Sequence, residues 1–285
     1  MLDQIRQFDR TLTDSYKSLL VTNGALDRRL VSFQASKSQS ESRWYKYKEG
    51  FSAALIRYVF ETLNISSGPV LDPFAGSGTT MFVAANLGIP SVGIELLPST
   101  IEAVGARHLL LRKGDRIATR IMDFAERRTW ETNGQTETFP HIRITSGAFP
   151  SETERQLGRY LHDASSLPDA EVARVLRFAA MCILEDISYT RKDGQYLRWD
   201  YRAGRKQGKK PFNKGTLPSF TEAVTKKVGE IATDLFGTLF DSSKQTGDIR
   251  LMQGSCLTVL PTLPAGDFSA IITSPPYCNR YDYTR

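Results

Sequence analysis

Residues 70 to 80 read VLDPFAGSGTT and have the pattern of a strand followed by a glycine turn. Val70 and Leu71 form a short apolar strand, and the turn after them contains two glycines separated by one residue, Gly76 and Gly78. Glycine lets the backbone turn tightly and approach a ligand, and a helix that begins after such a turn directs free amide groups at that ligand. The pattern therefore predicts a loop that holds a nucleotide-like cofactor, with an ordinary tight turn as the alternative.

The segments on both sides of this loop extend it into a strand–helix–strand unit. Residues 51–64 carry apolar side chains at helical spacing, residues 79–87 form a further helix, and a second strand covers residues 91–94. Pro98 begins another helix, which runs to about Arg112. Since two strands joined through a helix pair in parallel, the fold class is α/β with a parallel sheet. Glu95 ends the second strand, where a carboxylate can accept hydrogen bonds from ribose hydroxyls.

Two common nucleotide-binding loops are excluded by the residues that follow. A dinucleotide loop needs a third glycine three residues after Gly78, and Met81 stands there. A phosphate loop needs Gly-Lys-Ser or Gly-Lys-Thr, which does not follow the turn. The cofactor is therefore neither NAD nor a nucleoside triphosphate held in these ways.

The chain divides into three parts. Residues 1–114 contain a polar, turn-rich N-terminal segment (1–40) and the cofactor-binding half of the domain. Residues 115–247 have the pattern of a helical insertion, with predicted capping boxes at Ser151/Glu154 and Ser219/Glu222. Residues 248–285 return to the sheet with two more strands, 248–252 and 268–272. The insertion therefore lies between the second and third strands of the sheet.

The last strand runs into Thr273-Ser274-Pro275-Pro276-Tyr277, a second chemical motif. Two successive prolines lack amide donors, so the local backbone offers carbonyl oxygens only. The Ser274 hydroxyl is a further acceptor, and Tyr277 supplies a flat face. Such a surface suits a planar group that donates hydrogen bonds through an amino group, such as a nucleobase flipped out of a duplex. The alternative is a proline turn with the tyrosine lying over the core.

A basic stretch occupies residues 191–214 and contains nine basic residues against two acidic ones, whereas the net charge of the whole chain is +6. Arginine and lysine neutralise phosphates and aromatic rings stack on unpaired bases, so the stretch predicts contact with DNA. The alternative is a solvated charged face. The candidate DNA-binding residues are Arg191, Lys192, Tyr196, Arg198, Trp199, Arg202, Arg205, Lys206, Lys209 and Lys210.

Composition limits the remaining classes. The three cysteines are scattered and the chain has three histidines, which excludes a disulfide framework and predicts no metal site. No run of 18 apolar residues and no secretory leader pattern occurs, so we expect a cytoplasmic protein.

The two motifs together resemble those of S-adenosylmethionine-dependent DNA amino-methyltransferases, the N4-cytosine/N6-adenine DNA methylases of the TSPPY type. The resemblance implies a Rossmann-like sheet, S-adenosylmethionine as cofactor, and catalysis by Ser274, Pro275, Pro276 and Tyr277. Ser255 departs from the pattern, because an acidic residue near the cofactor adenine is common there. By resemblance, the cofactor-binding residues are Tyr47, Lys48, Asp72, Phe74, Ala75, Gly76, Ser77, Gly78, Thr79, Thr80, Glu95, Leu96, Ser255 and Cys256.

The resemblance implies methylation of the exocyclic N4 of cytosine in double-stranded DNA, within a restriction-modification system that has a cognate restriction endonuclease. Serine at position 274 favours cytosine, and adenine N6 is the alternative. Methylation at cytosine carbon 5 requires a nucleophilic cysteine, usually after proline, and no cysteine here follows a proline. A DNA-binding subunit without turnover, and an RNA or protein-glutamine methyltransferase, are alternatives from other classes.

The sheet looks incomplete at its C-terminal end, because enzymes that the chain resembles have about seven strands and only four are accounted for here. The last strand would then be an unpaired edge. We expect either a split enzyme, in which a second chain supplies the missing C-terminal motifs, or a truncated product.

Overall fold

A computed structural model describes residues 2–19, 23, 24, 26, 30, 44, 45, 50–132, 134–193, 196–206, 210–236 and 246–274. The strands of this part are β1 (Val70–Asp72), β2 (Ser91–Glu95), β3 (Thr190–Asp193), β4 (Tyr196–Trp199), β5 (Ile249–Gln253) and β6 (Ala270–Ile271). Its α-helices are α1 (Leu2–Tyr16), α2 (Ala53–Thr62), α3 (Thr79–Asn86), α4 (Pro98–Arg127), α5 (Thr129–Thr132), α6 (Ser151–Ser165), α7 (Ala170–Ile187), α8 (Phe220–Phe236) and α9 (Cys256–Val259).

Four of the strands form one parallel sheet in the order β5-β2-β1-β6. Val70 of β1 lies opposite Ser91 of β2 on one side and Ala270 of β6 on the other. All three residues of β1 are buried, as expected for a strand covered on both faces. The predicted α/β class with a parallel sheet is confirmed. Among the described residues, β6 pairs with β1 alone, so one of its edges has no strand beside it there.

Helices α2 and α3 pack beside the sheet. The side chain of Ser52 caps α2 by accepting a hydrogen bond from the amide of Leu55, at 3.1 Å. A small core joins these helices to the strands and contains Ala53, Ile56, Phe60, Val70, Val83, Ala84, Ile89 and Ile272. This core holds the start of α3, and hence the glycine turn, at one end of the sheet.

A second, larger core joins α4, α6, α7 and α8. The rings of Trp130, Tyr160 and Phe220 meet edge to face, with centroids 5.2–6.4 Å apart. Helix α4 runs 15 residues past the predicted end at Arg112, but it kinks at Lys113 (φ −136°, ψ 25°). The predicted boundary between residues 114 and 115 falls beside this kink, so α4 connects the sheet with the helical layer.

The structure can be compared with three local predictions, which concern the N-terminal segment and the two capping boxes. The N-terminal segment contains the helix α1, whose side chains are all exposed, instead of turns alone. The prediction of a capping box at Ser151 is wrong. Pro150 is the N-cap of α6, and the Glu154 carboxylate pairs with His141 at 2.8 Å. The box at Ser219 is confirmed, because its amide donates to the Glu222 carboxylate at 2.9 Å.

The basic stretch holds an antiparallel hairpin, β3–β4, that the sequence analysis did not predict. In the described part of the chain, none of the helices has the length and apolar character needed to cross a bilayer.

Candidate active site

A cavity of about 240 Å³ opens at the carboxyl ends of the four parallel strands. Because these ends meet at one edge of the sheet, the loops that follow them converge on a common space. The cavity is lined by residues after β1 (Pro73, Phe74, Ala75, Gly76, Ser77 and Thr79), at the end of β2 and after it (Ile94, Glu95, Leu96 and Leu97), after β5 (Gly254, Ser255 and Cys256), after β6 (Ser274), and before α2 (Gly50 and Phe51).

The glycine loop is fixed by its own backbone. The amide of Ala75 donates to the Ile94 carbonyl at 2.9 Å, and the amide of Gly78 donates to the Ala75 carbonyl at 2.7 Å. Gly76 and Gly78 have φ values of 50° and 78°, a region that favours glycine. A Cβ on Gly78 would also lie 3.1 Å from a Val104 methyl group. The loop therefore turns sharply into the N-terminus of α3 beside the cavity.

Glu95 is held in place at the end of β2. Its Oε1 accepts hydrogen bonds from the amides of Leu96 and Leu97, each at 2.8 Å. These amides lie just before α4, where the helix dipole favours a negative charge. The carboxylate is therefore fixed at the cavity wall and can accept hydrogen bonds from a ligand.

A buried carboxylate connects the two motifs. The Thr273 hydroxyl donates to Oδ1 of Asp72 at 2.9 Å, and the amide of Phe74 donates to the same oxygen at 3.1 Å. Asp72 is 1% exposed, and this burial raises the pKa of its carboxyl group. The start of the glycine loop and the residue before Ser274 therefore share one acceptor.

Comparisons with known proteins show which proteins this chain is similar to in sequence. A family model described as DNA methylase, of the N6/N4 type, matches residues 6–105. The type II methyltransferase M.AvaI of Nostoc sp. and that of Anabaena variabilis are each 42% identical over 290 residues, across the whole of this chain. The chain is similar to the N6/N4 DNA methylases over the residues that these comparisons cover. The methyl donor of such methylases is S-adenosylmethionine.

The type II methyltransferase M.BsoBI of Geobacillus stearothermophilus is also similar to this chain, at 38% identity over 289 residues, or 95% of this chain. The chain spans 60% of the length of the M.AvaI relatives and 56% of that of M.BsoBI. No solved structure matches it.

The cavity brings together most of the residues predicted to bind the cofactor. Three of them, Asp72, Gly78 and Thr80, are buried and do not line it. Ser255 also caps α9 by accepting from the amide of Leu257, at 3.3 Å. The predicted residues in the cavity wall are Phe74, Ala75, Gly76, Ser77, Thr79, Glu95, Leu96, Ser255, Cys256 and Ser274. The predicted residues Tyr47, Lys48, Pro275, Pro276, Tyr277 and Lys209 lie outside the described residues.

The predicted site residues leave out six residues of the cavity wall, namely Gly50, Phe51, Pro73, Ile94, Leu97 and Gly254. Sequence reasoning also missed the contact made by Thr273. Only the neighbouring position of β1 and β6 in the sheet brings Thr273 to Asp72, 201 residues away along the chain.

Two cations of the basic stretch bind neighbouring groups of the chain. Arg202 makes two hydrogen bonds to the buried Asp200, of 2.7 and 2.9 Å, and holds the pKa of that carboxyl well below its usual range. Lys214 donates to carbonyls at the end of α7 and the start of β3. These two cations hold the stretch together.

Other cations of the stretch are exposed on the hairpin and after it. Arg191 lies directly opposite Arg198, and the guanidinium of Arg198 lies 4.4 Å from the Phe212 ring centroid. The guanidinium of Arg205 stacks on Trp199 at 3.6 Å and donates to the Ser146 carbonyl. Further exposed cations are Lys192, Lys206 and Lys210.

Proposed function

We propose that the chain carries the active site of a type II DNA methyltransferase, which moves a methyl group from S-adenosylmethionine to the N4 amino group of cytosine in duplex DNA. The observation that carries this proposal is the shared cavity: the glycine loop, Glu95 and Ser274 all line it. The names of the relatives, type II methyltransferases, support a place in a restriction-modification system with a cognate endonuclease.

The cofactor is held by the loops after β1, β2 and β5. Glu95 accepts hydrogen bonds from the ribose hydroxyls, while Phe51 and Leu96 supply apolar walls for the flat adenine. Ser255 offers a neutral hydroxyl near the adenine in place of the carboxylate common in the family. Bound S-adenosylmethionine supplies an electrophilic methyl group on a sulfonium centre.

The target base enters beside Ser274. The lone pair of its amino nitrogen is delocalised into the ring, which makes it a poor nucleophile. The Ser274 hydroxyl and, by family resemblance, the Pro275 carbonyl accept hydrogen bonds from the amino group and favour a pyramidal nitrogen. S-adenosylmethionine held in the cavity would supply its methyl group to this nitrogen and leave as a neutral thioether, and the amino group would release one proton to solvent. Orientation supplies most of the rate enhancement, and Tyr277 stacks on the flipped base.

DNA is held by the hairpin β3–β4. Arg191 and Arg198 lie directly opposite each other, and two like charges at such positions repel. A phosphate between or above them would remove this repulsion, which supports contact with the DNA backbone. The bonds of Arg202 to Asp200 and of Lys214 to α7 keep the hairpin in position for that contact.

The proposal is tested by transfer of tritium from labelled S-adenosylmethionine to unmethylated duplex DNA. The Ser274→Ala variant should transfer at least tenfold more slowly, because it loses an acceptor for the amino group. The matched control is Ser269→Ala, which changes the same residue type at the other end of β6, where the hydroxyl donates to the Pro69 carbonyl. Equal rates in the two variants would refute the role of Ser274, and no transfer by the wild-type chain, either alone or with a second chain that supplies the C-terminal motifs, would refute the proposed activity.

A further inference from the structure

We propose that Arg107 is a positioning residue for the cofactor loop: from α4 it holds the carbonyl of Ser77 and fixes the loop in its binding conformation. The inference rests on the proposed function, because it concerns the loop to which S-adenosylmethionine would bind.

The contact joins two elements that are distant in the sequence. A guanidinium nitrogen of Arg107 donates to the Ser77 carbonyl oxygen at 2.6 Å. The same guanidinium lies 3.9 Å from the centroid of the Phe82 ring on α3, and Arg107 is 5% exposed. A hydrogen bond from a charged donor is stronger than one from a neutral donor, and a buried cation is rarely kept without such a partner.

The Gly78 amide holds one side of the peptide group between Ser77 and Gly78 through its bond to Ala75, and Arg107 holds the carbonyl on the other side. Ser77 lies between two glycines, Gly76 and Gly78, which have the largest backbone freedom and adopt left-handed φ values. Gly76 and Ser77 line the cavity, so the orientation of their peptide groups decides which backbone donors face the cofactor. A fixed Ser77 carbonyl sets the peptide plane between Ser77 and Gly78, and a cofactor then binds without the cost of ordering the loop.

The supporting surface is one face of α4. Val104 contacts the position of Gly78 and lies one turn before Arg107, so the two side chains stand side by side under the loop. On the same helix, Glu102 pairs with Arg174 of α7 at 3.2 Å. Arg174 thus secures the same helix without touching the cofactor loop, and it provides a matched control.

The test compares S-adenosylmethionine affinity, measured by titration calorimetry, in Arg107→Met, Arg107→Lys and Arg174→Met. We expect the Kd of Arg107→Met to rise about tenfold or more, as loss of a charge-assisted hydrogen bond allows. Arg107→Lys, which retains a cationic donor, should restore most of this affinity. Arg174→Met should stay within about twofold of the wild type, even if it is less stable.

A second readout separates positioning from general weakening of the fold. In methyl transfer, Arg107→Met should raise KM for S-adenosylmethionine and leave kcat at saturating cofactor within about twofold. An unchanged Kd in Arg107→Met, or in Arg107→Gln if the methionine variant does not fold, would overturn the inference, and so would a Kd of Arg107→Lys that rises as far as that of Arg107→Met. Equal loss of affinity in Arg107→Met and Arg174→Met would also overturn it. A wild-type chain that does not bind S-adenosylmethionine would refute the proposed function, and this inference with it.

Discussion

The hydrogen bond from Thr273 to Asp72 ties the strand that leads to Ser274 to the strand that leads to the glycine loop. Thr273→Val keeps the shape of the side chain and removes the hydroxyl donor. The carboxylate of Asp72 then stays buried with the amide of Phe74 still bound to it. Loss of a hydrogen bond to a buried charged acceptor costs about 1.5–3 kcal/mol. We expect the free energy of unfolding to fall by this amount at pH 8.

The loss should depend on pH. Because burial raises the pKa of Asp72, the folded chain binds this proton more tightly than the unfolded chain. Asp72 therefore costs stability as the pH rises from the ordinary aspartate range through its folded pKa. The Thr273 hydroxyl stabilises the carboxylate and limits that cost, and its removal raises the pKa further. The variant should thus lose little stability in acid, where Asp72 is protonated in both proteins.

Urea unfolding between pH 4 and pH 8 measures this difference. The control is Thr225→Val. The Thr225 hydroxyl donates to the Thr221 carbonyl within α8, which is an uncharged acceptor. The loss of stability in this control should be the same across the pH range. A loss in Thr273→Val that does not grow with pH would refute the reasoning that its hydroxyl serves an ionised carboxylate.

Three further predictions concern the cofactor, the DNA and the cysteines. Glu95→Gln should weaken S-adenosylmethionine binding about tenfold in calorimetry, because a charged acceptor of the ribose hydroxyls becomes neutral; a change below twofold would contradict the assignment. Replacing Arg191 and Arg198 by glutamine should reduce the slope of log K against log salt for DNA binding by about 2, measured by fluorescence anisotropy; an unchanged slope would exclude phosphate contact. Burial raises the pKa of Cys182 to about 12, so iodoacetamide should label it far more slowly than Cys256, and S-adenosylmethionine should protect Cys256; mass-mapped labelling of the two cysteines at equal rates would contradict the first statement, and a Cys256 rate unchanged by S-adenosylmethionine would contradict the second.

Local pattern was enough for the cofactor half of the site. Val70 and Leu71 followed by Gly76 and Gly78 specify a strand and a tight turn, and Glu95 follows the next strand at its end. Because the strands are parallel, their carboxyl ends meet, and the loops predicted to bind the cofactor line one cavity.

Contacts that depend on tertiary structure could not be predicted in this way. The bond between Thr273 and Asp72 requires β6 to lie beside β1, which no local pattern encodes. The hairpin β3–β4 has three consecutive charged residues, Arg191 to Asp193, a pattern typical of a solvated face, and its position depends on the buried Asp200. At Ser151 the motif for a capping box is present, but the helix begins one residue earlier than a box requires, with Pro150 as its N-cap.

Methylation of cytosine N4 is tested by nucleoside mass spectrometry of unmethylated duplex DNA incubated with the chain and S-adenosylmethionine. We predict N4-methylcytosine, in amounts that fall with the Ser274→Ala variant and not with Ser269→Ala. N6-methyladenine would retain the family and contradict the target base inferred from Ser274. 5-Methylcytosine, or DNA without any methylated base even when a second chain supplies the C-terminal motifs, would contradict amino methylation at this cavity.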